Sequence, residues 1–169
     1  MSEIMGVNTS NDYWNHNADT LYLSRVVAPV TGTLISLNIT IHAASPTGGL
    51  KMGLFESDGD NYPTNRLVAP AAKNLANGTV TFDDLDVSVT QDKVYWVASM
   101  MENTTHTKAL NGNENRYYQL SSGQSYSSGI PSTAPTGQNL VGTWEWTAWG
   151  VVEEGGGAVS AYNIVYNII

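Results

Sequence analysis

The feature that most constrains the fold of this chain is a stretch of alternating apolar residues within residues 31–63. In TGTLISLNITIH, the apolar positions Ile35, Leu37, Ile39 and Ile41 alternate with a second, mostly polar set. This period of two predicts a β-strand over residues 32–42 with one buried and one polar face. The turn residues SPTGG and a second apolar alternation over residues 50–56 follow, which together predict a β-hairpin.

The rest of the chain repeats this pattern of short strands and turns. No stretch of ten or more residues shows the apolar period of an α-helix. Short alternating runs separated by Gly, Pro, Asn and Asp predict an all-β sandwich of about eight or nine antiparallel strands. Residues 21–169 are assigned to a single domain. Residues 1–20 form either an N-terminal arm that docks on a neighbour or the first strand of the same sandwich.

Two later segments carry further structural predictions. Residues 93–101, KVYWVASMM, are apolar on both faces, which predicts a central strand covered on both sides or one whose outer face meets another chain. Residues 121–139 are rich in Ser, Gly, Pro and Thr and predict a long ordered loop. A loop of this length usually has a functional or structural task.

Charge and composition exclude several partners. The chain has 15 acidic and 7 basic residues, for a net charge of −8, and no cysteine. A surface of this sign repels phosphate backbones, so we expect no nucleic-acid partner. There is no basic run and no apolar stretch of the roughly 18–20 residues that a membrane helix needs, so we expect no membrane association. The N-terminus lacks the pattern of a secretory leader.

The order of several motifs resembles a widespread jelly-roll module of phage and virion structural proteins and of bacterial extracellular surface proteins. The residues that carry the resemblance are 28–29 (AP), 32–33 (GT), 52–55 (MGLF), 58–63 (DGDNYP), 67–69 (LVA) and 91–98 (QDKVYWVA). The resemblance implies a jelly-roll β-sandwich. It also implies a role in attachment, binding or surface display, and it brings no catalytic motif with it.

One turn has the composition of a cation site. Glu56, Asp58, Asp60 and Asn61 place several oxygen ligands on or beside a tight turn, and Ca²⁺ prefers six to eight oxygen ligands. These residues are the candidate metal site, with Ca²⁺ as the candidate ion and no other cofactor expected. The alternative is an ordinary Asp/Gly hairpin turn.

Aromatic residues are the candidate contacts for a glycan or a protein partner. These candidate contact residues are Tyr13, Trp14, Tyr126, Trp144, Trp146 and Trp149. Aromatic faces stack on sugar rings, and their polar groups can bind hydroxyls. The alternative is that most of these rings pack in the core or against other subunits.

The sequence favours a protein that is not an enzyme. His16, His42 and His106 are far apart in sequence, and none of the hydrolase, zinc-protease or nucleotide-binding motifs is present. A glycosidase with paired carboxylates needs no fixed sequence spacing, so that alternative stays open.

Three non-enzymatic functions are the leading hypotheses. The first is a structural protein of a virion surface, such as a capsid decoration (cement), fibre or spike protein, which forms a homo-oligomer and contacts other virion proteins. The second is a carbohydrate-binding module or adhesin. The third is an extracellular filament subunit joined by strand addition. The expected location is the virion surface or, in the other two cases, the extracellular space.

Overall fold

The computed structural model describes residues 1–6, 8, 12–58, 62–111, 117–120, 124–135 and 144–155, with 109–111, 117–120 and 144–146 described as backbone only. Every regular element within these ranges is a β-strand, which confirms the all-β class. The strands are β1 (Ser2–Gly6), β2 (Asp12–His16), β3 (Leu21–Val27), β4 (Gly32–Ile41), β5 (Gly49–Ser57), β6 (Pro63–Val68), β7 (Lys73–Asn74), β8 (Gly78–Phe82), β9 (Val87–Val89), β10 (Val94–Met101), β11 (Thr105–Asn111), β12 (Tyr117–Leu120), β13 (Trp144–Trp146) and β14 (Ala148–Glu154). These fourteen described strands exceed the predicted eight or nine, since several are only two to four residues long.

The strands form two antiparallel sheets. The first sheet contains β1, β2, β4, β8, β9, β11, β13 and β14, and the second contains β3, β5, β6, β7, β10 and β12. The chain crosses repeatedly between them: β3 lies in the second sheet, β4 in the first, β5 in the second, β8 in the first, β10 in the second and β11 in the first. This arrangement is consistent with a β-sandwich.

The predicted hairpin between residues 32–42 and 50–56 is wrong, although both strands exist. β4 pairs with β14, β8 and β9 in the first sheet, whereas β5 pairs with β10 and β6 in the second. The turn residues at 45–49 therefore lie on a connection between sheets. Both strands bury apolar residues in the same core. Two strands can bury such residues by facing each other across the core, and pairing edge to edge is not required. A hairpin does form between the next two consecutive strands, where β5 pairs with β6.

The main core lies between the two sheets. It receives buried side chains from both, including Met5, Val26, Leu34, Leu37, Ile39, Ile41, Leu50, Met52, Leu54, Val97, Met101, Ala148 and Val152. Burial of this kind is the main favourable term in folding, at about 25 cal/mol per Å² of apolar surface.

A β-bulge changes which residues of β4 face this core. Ser36 pairs with Val151 and Leu34 pairs with Val152, so Ile35 is the additional residue between them. Leu34 is consequently fully buried and Ile35 only partly buried. The predicted alternation holds at positions 37, 39 and 41 and fails at position 35, because the bulge shifts the phase by one residue.

Residues 1–6 and 12–20 are integrated into the fold. β1 pairs with β14 over five residue pairs, and β2 pairs with β11 over five more. Met5 on β1 is fully buried in the main core. Both described strands of this segment, β1 and β2, lie in the first sheet. This corresponds to the second alternative for residues 1–20, in which the segment is a strand region of the same sandwich.

Residues 124–135, here called the strap, cover the outer face of the second sheet. Ile130 and Ala134 of the strap form a second buried cluster with Trp96 and Met100 of β10. Since the other face of β10 lies against the main core, the predicted central strand covered on both sides is confirmed.

Backbone hydrogen bonds attach the strap to β6. The Arg66 amide donates to the Ser132 carbonyl at 2.8 Å, and the Ala134 amide donates to the Thr64 carbonyl at 2.7 Å. The Arg66 guanidinium also donates to the Ile130 carbonyl. The described part of the long loop therefore has a structural task within its own chain.

Candidate functional site

The candidate site is an open surface groove at one end of the first sheet. Two adjoining pockets form it, and both are lined by Tyr13 and His106. The first, of about 350 Å³, is completed by Trp14, Asn15 and Asn17. The second, of about 510 Å³, is completed by His42, Ala43 and Ala44. We refer to these two pockets together as the groove.

Strand pairing brings the groove residues together. Tyr13 of β2 lies opposite Lys108 of β11, and Asn15 lies opposite His106. Because side chains alternate across a strand, these four residues share one face of the sheet. Thr107, between them on β11, is fully buried on the other face, which identifies the groove face as the outer one.

The end of β4 supplies the remaining imidazole. The chain leaves β4 beside β11, where Ile41 pairs with Thr107 and the His42 amide donates to the His106 carbonyl at 2.8 Å. The His42 ring then stacks on Tyr13, with ring centroids 4.0 Å apart and planes inclined by 22°. Backbone contacts thus fix two rings from distant parts of the sequence side by side.

The groove presents aromatic surface that is open to solvent. Tyr13 is 48% exposed and Trp14 is 42% exposed, whereas the described apolar side chains Leu37, Ile39 and Phe82 of the same sheet are buried. A partly exposed aromatic platform with amides and imidazoles around it can stack on an apolar ring face and hydrogen-bond to hydroxyl groups. This chemistry suits a polar ring compound better than an extended apolar ligand.

Sequence reasoning selected Tyr13 and Trp14 but missed the two histidines. His42 and His106 are far apart in sequence, and only the pairing of β11 with the end of β4 places them together. The sequence signal that was available is weak: His42 ends the predicted strand over residues 32–42, and His106 lies in a polar segment, residues 102–115, that was expected to be a loop.

Tyr126 lies away from the groove, in the strap. The Lys51 ammonium lies 4.3 Å from the Tyr126 ring centroid and donates to the Tyr126 carbonyl. Burial raises the pKa of the Tyr126 hydroxyl, and the negative charge of Glu102 raises it further. The Tyr126 amide also donates to Asp19 Oδ1 at 2.6 Å. These contacts are within the chain and give Tyr126 a structural role.

The tryptophans near residue 146 are only partly described. Trp144 and Trp146 belong to β13, which pairs with β11, and their side chains lie outside the described residues. Trp149 lies on β14 in register with Gly6 and Asn38 and is partly buried. Since Ala148 and Val152 face the main core, Trp149 faces outward.

The candidate calcium turn is described at its two ends. Asp58 Oδ1 accepts a hydrogen bond from the Tyr62 amide at 2.7 Å, and the Asp58 amide donates to the Tyr62 carbonyl at 2.8 Å. Glu56 is exposed on β5, while Asp60 and Asn61 lie outside the described residues. In the described part of the chain, no three His, Asp or Glu side chains are grouped as metal ligands. The calcium site stays a prediction.

His16, the third histidine, is separate from the groove and fully buried between the sheets. Its Nε2 is 2.9 Å from Ser99 Oγ, and its ring lies 4.1 Å from the Tyr22 ring. Burial lowers the pKa of His16 to about 3, against a smaller opposite effect of its backbone hydrogen bond at Asn17. The imidazole is therefore neutral at physiological pH and serves the packing of the two sheets.

Fold and site together define an antiparallel β-sandwich protein with an aromatic surface groove. No protein-family model matches the chain, and no curated protein matches it significantly. Among the described residues, no helix has the length and apolar character needed to cross a membrane.

Proposed function

We propose that this chain is a non-enzymatic, glycan-binding surface module with a jelly-roll fold. The observation that carries the proposal is the groove, in which the exposed Tyr13 ring is stacked on His42 and flanked by Asn15, Asn17 and His106. The repeated crossing of consecutive strands between the two sheets supports the jelly-roll topology. Display on a virion or outside a cell fits the low content of charged residues, 13%.

Sugar binding requires both an apolar platform and hydrogen-bonding groups. One face of a pyranose ring carries C–H groups that pack against an aromatic ring, and its edge carries hydroxyls. Tyr13 provides the first kind of surface, and the amides of Asn15 and Asn17 provide donors and acceptors for the second. The groove is open, which allows an internal unit of a longer chain to bind.

Replacing Tyr13 is expected to weaken glycan binding without unfolding the protein. Loss of the ring should reduce affinity about tenfold, because stacking and burial of one ring contribute on the order of 1–2 kcal/mol. A glycan array would select a ligand, and calorimetry would compare the native chain with Tyr13→Ala. Tyr62→Ala is the matched control, since Tyr62 is 45% exposed, close to the 48% of Tyr13, and lies outside the groove. Equal affinities for the two variants would contradict the proposal.

A second candidate function is a structural subunit of a virion surface or an extracellular filament. Ile4 on the edge strand β1 is 45% exposed and lies opposite Val151 on β14, next to the outward-facing Trp149. Such an apolar strip beside a sheet edge favours contact with another subunit, by face packing or by strand addition.

Self-association is expected to depend on this strip if the second function applies. Light scattering should then give the mass of a discrete homo-oligomer or a polymer, and Ile4→Lys should return the protein to a monomer because it places a charge in the contact. Thr79→Lys, on β8 of the same sheet, is the control. A native chain that remains monomeric at high concentration would rule out this function and leave the glycan-binding proposal unaffected.

A further inference from the structure

We infer that the groove selects acidic glycans, that is, sugars carrying a carboxylate or a similar anionic group. This inference rests on the proposed glycan-binding function and names its ligand class. It follows from the juxtaposition of the Tyr13 platform with Lys108, His42 and His106 on the outer face of the first sheet.

The charge of the groove differs from that of the whole chain. The protein has a net charge of −8, with only 7 Lys and Arg residues and 3 His. None of the described residues that line the groove is Asp or Glu, while two of the three histidines are among them. A lysine, Lys108, flanks them from the position opposite Tyr13. In the described part of the groove, one ammonium and two imidazoles therefore lie beside a surface that can stack on a ring, and no carboxylate lines it.

Two other lysines, Lys51 and Lys73, are engaged elsewhere. Lys51 donates to the Tyr126 carbonyl, and Lys73 donates to the Thr81 carbonyl and lies 3.7 Å from the carboxylate of Asp83. Among the described residues, Lys108 forms no ion pair. Its ammonium can consequently bind a ligand carboxylate without giving up a partner.

The geometry of the strand pair places these groups at the correct spacing for one sugar unit. Side chains directly opposite each other on antiparallel strands have Cβ atoms about 4.5–5.5 Å apart. A pyranose stacked on Tyr13 thus has its ring edge within reach of both Lys108 and the adjacent His106. A carboxylate on that edge accepts charge-assisted hydrogen bonds, which are stronger than those to a neutral hydroxyl.

Binding of acidic and neutral versions of the same sugar tests the inference. The probes are sialyllactose against lactose, and trigalacturonic acid against its fully methyl-esterified form, measured by calorimetry with the full chain. A sulfated disaccharide distinguishes a requirement for carboxylate from a requirement for any anion. We expect the acidic member of at least one pair to bind about tenfold or more tightly than its neutral partner. Added salt should reduce that difference.

Two variants connect the preference to the groove. Lys108→Gln should remove most of the preference for the acidic probe, whereas Lys93→Gln, an exposed lysine outside the groove, should leave it unchanged. Equal binding of acidic and neutral probes would overturn the inference but leave glycan binding in place. Failure of every probe and of a broader glycan array would overturn both. Unchanged selectivity in Lys108→Gln would show that the preference arises elsewhere.

Discussion

Lowering the pH from about 7 to about 4.5 is expected to reduce the free energy of unfolding by about 3 kcal/mol through His16 alone. Burial lowers the pKa of His16 from 6.5 to about 3 in the folded chain. Between these values the unfolded chain binds a proton at this residue and the folded chain does not. Stability contributed by His16 is therefore present above pH 6.5 and is lost as the pH falls toward 3.

Urea unfolding at several pH values measures this effect. A His16→Gln variant keeps a polar group near Ser99 but cannot titrate, so its stability should fall less steeply with acid, by up to about 1.4 kcal/mol per pH unit. The carboxylates of the chain titrate in both proteins and cancel in the comparison. His106→Gln is the matched control, because it makes the same substitution at an exposed histidine. Parallel stability curves for the native chain and His16→Gln would show that the pKa of His16 is the same in the folded and unfolded chain, and would contradict the prediction.

Replacing Trp96 with alanine (Trp96→Ala) is expected to lower the free energy of unfolding by about 3–5 kcal/mol. Trp96 is fully buried on β10, where it packs in the second cluster with Ile130 and Ala134 of the strap. Its indole nitrogen also donates to Ser57 Oγ at 3.4 Å, and removal of the ring would leave a cavity beneath the strap. The strap should consequently lose much of its protection from hydrogen exchange.

The control for this change is Trp14→Ala, which removes the same side chain from an exposed position. Trp14 is 42% exposed, so its replacement should cost less than about 1 kcal/mol. Urea unfolding gives both values at neutral pH, and exchange measured over residues 124–135 reports the strap directly. Similar losses for the two variants would mean that the strap does not cover Trp96 in solution.

Several features of the fold could be predicted because they depend on local periodicity. The alternation in β4 and the doubly apolar pattern of β10 specify which residues are buried, whatever their partners are. The phase error at Ile35 shows the limit of this reasoning. A bulge places one extra residue on one strand of a pair, so its position depends on the partner strand. The partner of β4 at this bulge is β14, which lies more than a hundred residues away in the chain.

The groove was predicted only in part for the same reason. Exposed aromatic character selected Tyr13 and Trp14, but His42 became a neighbour of Tyr13 only through the pairing of β11 with both β2 and the end of β4. Tyr126 was selected on the same aromatic criterion, and it contacts Lys51 and Asp19 of its own chain within the strap. Aromatic composition alone does not distinguish these two uses.

The sequence by itself determined that the chain is all-β, that its connections are turns rich in Gly, Pro and Asn, and that β10 is buried on both faces. These properties follow from side-chain periodicity and from backbone preferences, which act over a few residues. Only the tertiary structure decided that β4 and β5 lie in different sheets, that residues 1–6 and 12–16 join the first sheet, and that Tyr13, His42 and His106 share one groove. Strand pairing is non-local, and many partners satisfy the same alternation. The choice among them depends on packing the whole core at once.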